Sequence, residues 1–249
     1  MRRPGRVAGW RSVAVLALWL GVLAGTVSAR GEPLAAAAPA RGAVPPPGAV
    51  PGGAAVPLPP AAPAAKGPQI TGFRGATFGM TEAEVRGVIG RDFHLPPPSI
   101  QTGENPVERT AILSVRVADL SPGAGGAIVS YVFGYRSHRL IEVNIVWSKV
   151  SDASLTPKAL AVIGARLQAY FAGEHFAPGR SALNVPLPNG LLLFRTVDQA
   201  GRAIALILSG PVKTDAKSGK RVLTPTTLSL AYAADATHPD VFRLEKGSF

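Results

Sequence analysis

The 249-residue sequence contains no cysteine, and only 6% of its residues are aromatic. The lack of cysteine excludes disulfides, thiolate zinc sites, iron–sulfur clusters, cysteine nucleophiles and a lipidated N-terminal cysteine. Common catalytic motifs are missing too, since the chain has no Gly-x-Ser-x-Gly and no Ser-x-x-Lys. The run Lys217–Lys220 does not match a phosphate-binding loop. Thr214 stands where that motif has its first Gly, and Arg221 stands where it has Ser or Thr. We therefore expect no cofactor and favour a protein without catalytic activity.

The first 29 residues have the three regions of a secretory signal peptide. Four arginines flank the start of an apolar run at residues 13–23, and the small side chains of Val27 and Ala29 fit the recognition site of signal peptidase. We expect cleavage before Arg30 through the general secretory route, which predicts a periplasmic or secreted protein. The alternative is an uncleaved anchor, because residues 12–29 approach the length of a membrane-spanning helix.

Residues 30–67 are interpreted as a disordered linker. They include 13 Ala, 10 Pro and 6 Gly and show no periodic apolar pattern. Such a segment buries too little apolar surface to offset the entropy of ordering it, and its prolines favour extended conformations. It is either a spacer that holds the folded part away from a membrane or a solvated leader with no specific partner.

Residues 68–249 are predicted to fold, because apolar positions become periodic there and the segment is long enough for a hydrophobic core. The first helix begins after Thr81, which forms a capping box with Glu84. A second helix begins at Thr156, which is followed by Pro157 in the first turn. This part of the chain has 19 Lys and Arg against 14 Asp and Glu, an excess too small to indicate nucleic-acid binding.

Period-two alternation of apolar residues predicts three antiparallel strands after each helix. The six segments are residues 111–117, 128–135, 140–147, 191–197, 202–208 and 226–233. The predicted fold class is therefore α+β: two helix-plus-three-strand antiparallel units, at residues 70–150 and 155–236, with the helices packed on one face of the sheet or sheets.

The predicted strands separate two kinds of side chain. We expect most of the aromatic and large apolar ones to lie in the core beneath the helices, namely Tyr131, Phe133, Tyr135, Ile145 and Trp147. If the helices cover one face only, the other face must be polar or occupied by a partner. Its candidate residues are Ser114, Arg116, Ser130, Glu142 and Asn144.

The run Phe78-Gly79-Met80-Thr81-x-x-x-Val85 opens a helix that strands follow. Over residues 70–150 this arrangement resembles the SmpA/OmlA (BamE) family of small exported modules. The order of elements in both halves is similar to that of the β-lactamase inhibitor protein, whose two copies present a concave sheet to a partner. The resemblance implies a non-enzymatic binding module.

Two basic segments are candidate contact surfaces. The first is the hairpin turn with Arg136, His138 and Arg139, and the second is a loop with Lys213, Lys217, Lys220 and Arg221. Each is either an ordinary solvated turn or a contact for anionic groups. Near an anionic surface, each Lys or Arg would contribute about 1 kcal/mol of binding free energy. We expect a monomer, near a membrane or free of it, that binds an envelope protein or an anionic envelope polymer.

The alternative function is a metal-assisted hydrolase that acts on envelope components. Its ligands would be Asp235, His238 and Asp240, which offer carboxylate oxygens and an imidazole within six residues. The competing interpretation is an Asx-type turn after the last strand, with its geometry set by Pro239.

Overall fold

A computed structural model describes residues 67–177, 179–244 and 247. The predicted signal peptide and nearly all of the predicted linker lie outside the described residues. The helices are α1 (Glu82–Phe93) and α2 (Pro157–Gly173). The strands of the described part are β1 (Gly72–Phe73), β2 (Ala76–Thr77), β3 (Gln101–Asn105), β4 (Thr110–Val117), β5 (Ala127–Phe133), β6 (Leu140–Ser148), β7 (Ser181–Leu187), β8 (Gly190–Val197), β9 (Ala203–Ser209), β10 (Val212–Thr214), β11 (Arg221–Leu223) and β12 (Thr227–Ala233).

Helix α1 begins as the sequence predicts. The Thr81 hydroxyl accepts a hydrogen bond from the Glu84 backbone N–H, and the Glu84 carboxylate accepts one from the Thr81 N–H. This capping box satisfies two backbone donors that the helix leaves without internal partners. Val85, Val88 and Ile89 recur on one side of the helix and are buried, so α1 is held to the sheet by an apolar stripe.

Helix α2 begins in the same way. The Thr156 hydroxyl caps it by accepting the Ala159 N–H, and Pro157 occupies the first turn. Its buried side includes Ile163 and Phe171, and the Phe171 ring stacks on Phe194 of β8 with 5.5 Å between centroids. Burial of one such side chain contributes about 1.5–3 kcal/mol to folding.

Eight strands form one antiparallel sheet in the order β3-β4-β5-β6-β12-β9-β8-β7, while β1–β2 and β10–β11 form separate hairpins. The α+β class is confirmed, and strands occupy all six predicted places. The prediction of three strands per helix was incomplete, because each helix precedes four strands of this sheet. Edge strands β3 and β7 are mostly exposed. Strand β3 has no large apolar residue to alternate, and β7 contains Pro186, which argues against a strand unless it lies at a sheet edge.

Both helices pack on the same face of the sheet, which we call the helix face. Hydrogen-bonded register places one row of buried side chains across six strands of this face: Val115, Val129, Ile145, Leu230, Leu206 and Phe194. These residues share one hydrophobic core with Val85 of α1 and Leu160 of α2. Because antiparallel strands alternate between faces, the intervening residues point to the opposite side.

The expected aromatic core is largely confirmed. Tyr131, Phe133 and Trp147 lie on the helix face and are at most 2% exposed. Tyr135 differs, because it lies beyond the end of β5 and its ring contacts Phe242 edge to face, with 5.4 Å between centroids. No helix within the described ranges is both long enough and apolar enough to cross a membrane.

Candidate binding face and acidic pocket

The second face of the sheet, which we call the open face, carries a row of side chains across five strands that we call the apolar row, because all its members except Ser229 are apolar. The register aligns Ile128 with Val146, Val146 with Ser229, Ser229 with Ile207, and Ile207 with Leu192. Four of these residues are partly exposed, and Leu192 is buried. Neither described helix contributes to this face, because both pack in the core of the helix face.

A polar row runs beside the apolar one. Ser114, Ser130 and Asn144 align across β4, β5 and β6, and the two serine hydroxyls are hydrogen-bonded at 2.9 Å. Arg116 and Glu142 also point to the open face. Arg116 aligns with Ile128 on one side of the polar row, and Glu142 aligns with Val132 on the other. The sequence-based assignment of these five polar residues to one face agrees with the register.

The middle of the open face is lined by small side chains. Ala205 of β9 aligns with Ala231 of β12, and Ala203 aligns with Ala233. Longer side chains lie on both sides of this stripe, namely Glu142 and Asn144 on β6 and Arg195 on β8. The surface is therefore lower along β9 and β12, and this depression reaches the end of the sheet at Ala233.

The C-terminal segment crosses this end of the sheet. The Asp240 carboxylate accepts hydrogen bonds from the backbone N–H groups of Arg136 (3.1 Å) and Ser137 (2.8 Å) in the β5–β6 turn. The Phe242 N–H donates to the Glu108 carbonyl at 2.9 Å. These bonds tie the segment to two separate turns and hold it over the end of β6 and β12.

A small pocket of about 140 Å³ lies between the C-terminal segment and the sheet. It gathers residues from four parts of the chain, including Glu108 from the β3–β4 turn and Glu142 from β6. The remaining lining residues are Ile141, Ala233, Ala234, Asp235, His238, Pro239, Asp240 and Val241. We call this site the acidic pocket, because four of its ten lining residues are carboxylic acids and none is Lys or Arg.

Glu142 has the most perturbed carboxyl group of the pocket. Burial raises its pKa to about 7, and the charge of Glu108 acts in the same direction, against a hydrogen bond from Asn144. That bond joins the Asn144 amide nitrogen to Glu142 Oε1 at 2.7 Å. Burial also raises the pKa of Glu108, although Arg243 and Asn105 lower it. Near neutral pH, Glu142 can therefore exchange a proton or, when ionised, attract a cation.

The metal-site hypothesis is not supported by the described residues, among which no group of three His, Asp or Glu side chains is arranged to hold a metal ion. Asp235 Oδ1 accepts bonds from the backbone N–H groups of Thr237 and His238 and from the Thr237 hydroxyl. This is the Asx-type turn of the competing interpretation. Asp240 is directed at the β5–β6 turn instead, where the N–H groups described above use both of its oxygens.

No family model, curated protein or solved structure matches the chain.

The two predicted basic surfaces lie at opposite ends of the sheet. Arg136, His138 and Arg139 are exposed in the turn between β5 and β6, near the end of β12. The other cluster belongs to the β10–β11 hairpin, which precedes the start of β12. Because β12 has seven residues, its two ends are about 20 Å apart. The two clusters do not form one continuous basic patch.

The β10–β11 cluster itself is only partly available for contacts. Lys213, Lys217 and Lys220 are exposed on the hairpin. Arg221 also has a structural role, because its guanidinium donates hydrogen bonds to the carbonyls of Leu187 (2.8 Å) and Pro188 (3.0 Å). Of the four predicted contact residues, Arg221 anchors the hairpin to the β7–β8 turn.

Sequence reasoning missed the acidic pocket. Glu142 was assigned to the open face, but Glu108 lies in a turn with no periodic pattern. Their proximity depends on the path of residues 235–242 across the sheet, and the Asx turn at Asp235 was the only local signal of that path.

Proposed function

We propose that the protein is an exported, non-catalytic component of the cell envelope that binds another protein through the open face. The apolar row from Ile128 to Leu192 is the observation that carries this proposal. Four of the five residues in this row are apolar and the fifth is Ser229; three of the apolar ones are partly exposed, and polar residues border the row. This is the composition of a protein-binding surface. A monomer is the simplest form that keeps this face free for a partner.

The position of the basic residues favours a protein partner over an anionic polymer. A polymer that carries many negative charges would need a continuous basic track. The basic clusters at Arg136 and Lys213 are separated by the length of β12, and the acidic pocket lies at the same end of the sheet as the first of them. The exposed cations are better placed as contacts at the rim of a protein interface.

We further propose that the two halves of the sheet are copies of one helix-plus-four-strand unit. Strands β3, β4, β5 and β6 follow α1, and β7, β8, β9 and β12 follow α2. The strand order is symmetric about the β6–β12 pair, so that β3 corresponds to β7 and β6 to β12. This arrangement supports the resemblance to the SmpA/OmlA modules and to the duplicated inhibitor architecture, and it makes the open face one surface.

Export is part of the same proposal. The basic start, apolar run and small residues before Arg30 support cleavage by signal peptidase, which would release the protein into the periplasm or the medium. N-terminal sequencing of the mature protein tests this step. A chain that begins at Arg30 agrees with the proposal, whereas a chain that begins at Met1 in the membrane fraction contradicts it.

Site-specific photocrosslinking tests the binding face. A photoreactive amino acid is placed at Ile207 on the open face or, as the control, at Val162, which is 48% exposed on α2. We expect the Ile207 variant, irradiated in intact cells, to form a discrete protein adduct that the Val162 variant does not form. Equal adducts from both positions, or none from Ile207 and a second open-face position such as Val146, would contradict the proposal.

The metal-assisted hydrolase remains the competing function, and it has its own test. Purified protein is analysed for metal before and after substitution of Asp240 by Ala. Stoichiometric zinc or calcium that disappears in the variant would favour the hydrolase. We expect no stoichiometric metal, because the Asp240 oxygens already accept hydrogen bonds from the β5–β6 turn.

A further inference from the structure

The acidic pocket has the opposite charge to the folded part of the chain that contains it. Residues 68–249 carry an excess of Lys and Arg, yet the pocket is lined by Glu108, Glu142, Asp235 and Asp240. Two arginines that do not line the pocket each lower the pKa of one of these acids: Arg243 that of Glu108 and Arg136 that of Asp240. His238 is the remaining titratable lining residue, and its ring is mostly exposed.

Within the described part of the chain, Glu142 is the carboxylate of the pocket on which no nearby cation acts. Among residues 67–177 and 179–244, the ion pairs within 4 Å are Arg86–Glu82 and His238–Asp235. Oε1 of Glu142 accepts the hydrogen bond from Asn144, while no described group donates to Oε2. This second oxygen is not among the fully buried, unpartnered atoms, so it keeps some solvent access beside the pocket.

The ionised form of Glu142 is unfavourable for folding. Burial raises its pKa to about 7, so above neutral pH the protein holds a partly buried negative charge that no positive charge of the described residues contacts. A neutral side chain of the same shape would avoid this energetic penalty. A residue that costs stability in this way is often retained for binding or chemistry.

The size of the pocket limits its occupant. Pockets that enclose a whole small-molecule ligand usually have volumes of about 300–1,000 Å³. The acidic pocket has about 140 Å³, which suits one side chain. It also lies where the depression along β9 and β12 meets the C-terminal segment, so a chain bound on the open face can reach it.

We propose that the acidic pocket receives one basic side chain, Lys or Arg, of the protein that binds the open face. This inference rests on the proposed function and adds the chemistry of the partner. The ammonium or guanidinium group would donate to Glu142 Oε2, with the negative charge of Glu108 beside it, and would supply the positive charge that the described residues do not place there.

A titration with small probes tests the pocket without the partner. The isotope-labelled protein is titrated at pH 8 with N-acetyl-arginine amide, N-acetyl-lysine amide and the uncharged N-acetyl-citrulline amide, while the backbone amide signals are followed by NMR. We expect at least one cationic probe to cause saturable shifts at Ala233, Ala234 and Val241, and citrulline amide to cause none. Affinity should fall about tenfold for each pH unit well below 7, because a cation binds the ionised form of Glu142.

Two substitutions that each remove one negative charge serve as the test variant and its matched control. E142Q keeps the shape of the side chain and should weaken binding of the cationic probe at least tenfold, whereas E104Q removes an exposed carboxylate of β3 outside the pocket and should leave binding unchanged. Equal binding of citrulline amide, equal affinity of E142Q and the unsubstituted protein, or no saturable shift with either cation would overturn the inference.

The titration also separates the pocket from the binding face. Crosslinks from Ile207 without any cation binding would retain the proposed function and overturn the role of the pocket. Cation binding without crosslinks from the open face would overturn the proposed function and, with it, the assignment of the cation to a partner protein. When both experiments give the expected result, E142Q should weaken the binding of the crosslinked partner at least tenfold, and E104Q should leave that binding unchanged.

Discussion

Replacing Glu142 by Gln should stabilise the protein clearly at pH 8 and by less than about 1 kcal/mol at pH 5. The folded-state pKa of about 7 exceeds the ordinary value of 4.5. Between these two values the folded protein binds a proton that the unfolded chain does not, so stability falls as pH rises from about 4.5 to about 7 and then levels off. The difference between the ordinary and the folded-state pKa of Glu142 corresponds to a loss of folding stability of up to about 3 kcal/mol over the whole pH range.

Gln keeps the shape of the protonated carboxyl and carries no charge at either pH. The difference in unfolding free energy between E142Q and the unsubstituted protein should therefore grow by about 2–3 kcal/mol from pH 5 to pH 8. Glu108, Asp235, His238 and Asp240 face the same pocket and are common to both proteins, so their titrations largely cancel in the difference.

Urea unfolding at several pH values measures this difference, and E104Q is the matched control. A difference that is constant from pH 5 to pH 8, or an E142Q variant that is less stable at pH 8, would refute the reasoning. It would mean that Glu142 is either well solvated or paired with a cation in solution.

Three further substitutions test local features of the structure. Thr81→Ala removes the capping box and should cost about 1 kcal/mol in urea unfolding; an unchanged midpoint would contradict the cap. Gly210→Ala places a Cβ against the backbone carbonyl of Thr224 and should destabilise the protein by about 1–3 kcal/mol, which wild-type stability would disprove. Gly134→Ala places a Cβ against the Asp240 carboxylate, so hydrogen exchange should accelerate in residues 236–242, and unchanged protection would argue against that contact.

The parts of the fold that follow from local patterns were predictable. Thr81 and Thr156 mark both helix starts through capping chemistry, and the six strands with a buried face show period-two alternation. The edge strand β7 was missed although Leu183, Val185 and Leu187 alternate in it, because Pro186 inside the run argues against a strand unless the strand lies at the edge of a sheet. The pairing of β6 with β12 also has no local signal, since it joins segments about 85 residues apart in sequence.

Some residues of the candidate site could also be predicted from local sequence patterns, and others could not. The polar residues of the open face followed from strand alternation once Trp147 and its neighbours were assigned to the core, whereas the apolar row from Ile128 to Leu192 was not predicted, because it depends on the pairing of distant strands. The acidic pocket depends on tertiary contacts, because Glu108 meets Glu142 only where the C-terminal segment bonds to two separate turns. The basic clusters were visible in the sequence, but their separation by the length of β12 was not.

The central claim is that the open face contacts a partner protein. It is tested most directly by measuring how tightly the crosslinked partner binds two variants that each carry a new lysine. Ile207→Lys places a charge within the apolar row, and Val162→Lys places the same charge on the exposed side of α2. Titration of each folded variant with the purified partner should show at least tenfold weaker binding for Ile207→Lys and unchanged binding for Val162→Lys. Unchanged binding of Ile207→Lys, or equal weakening of both variants, would contradict the account.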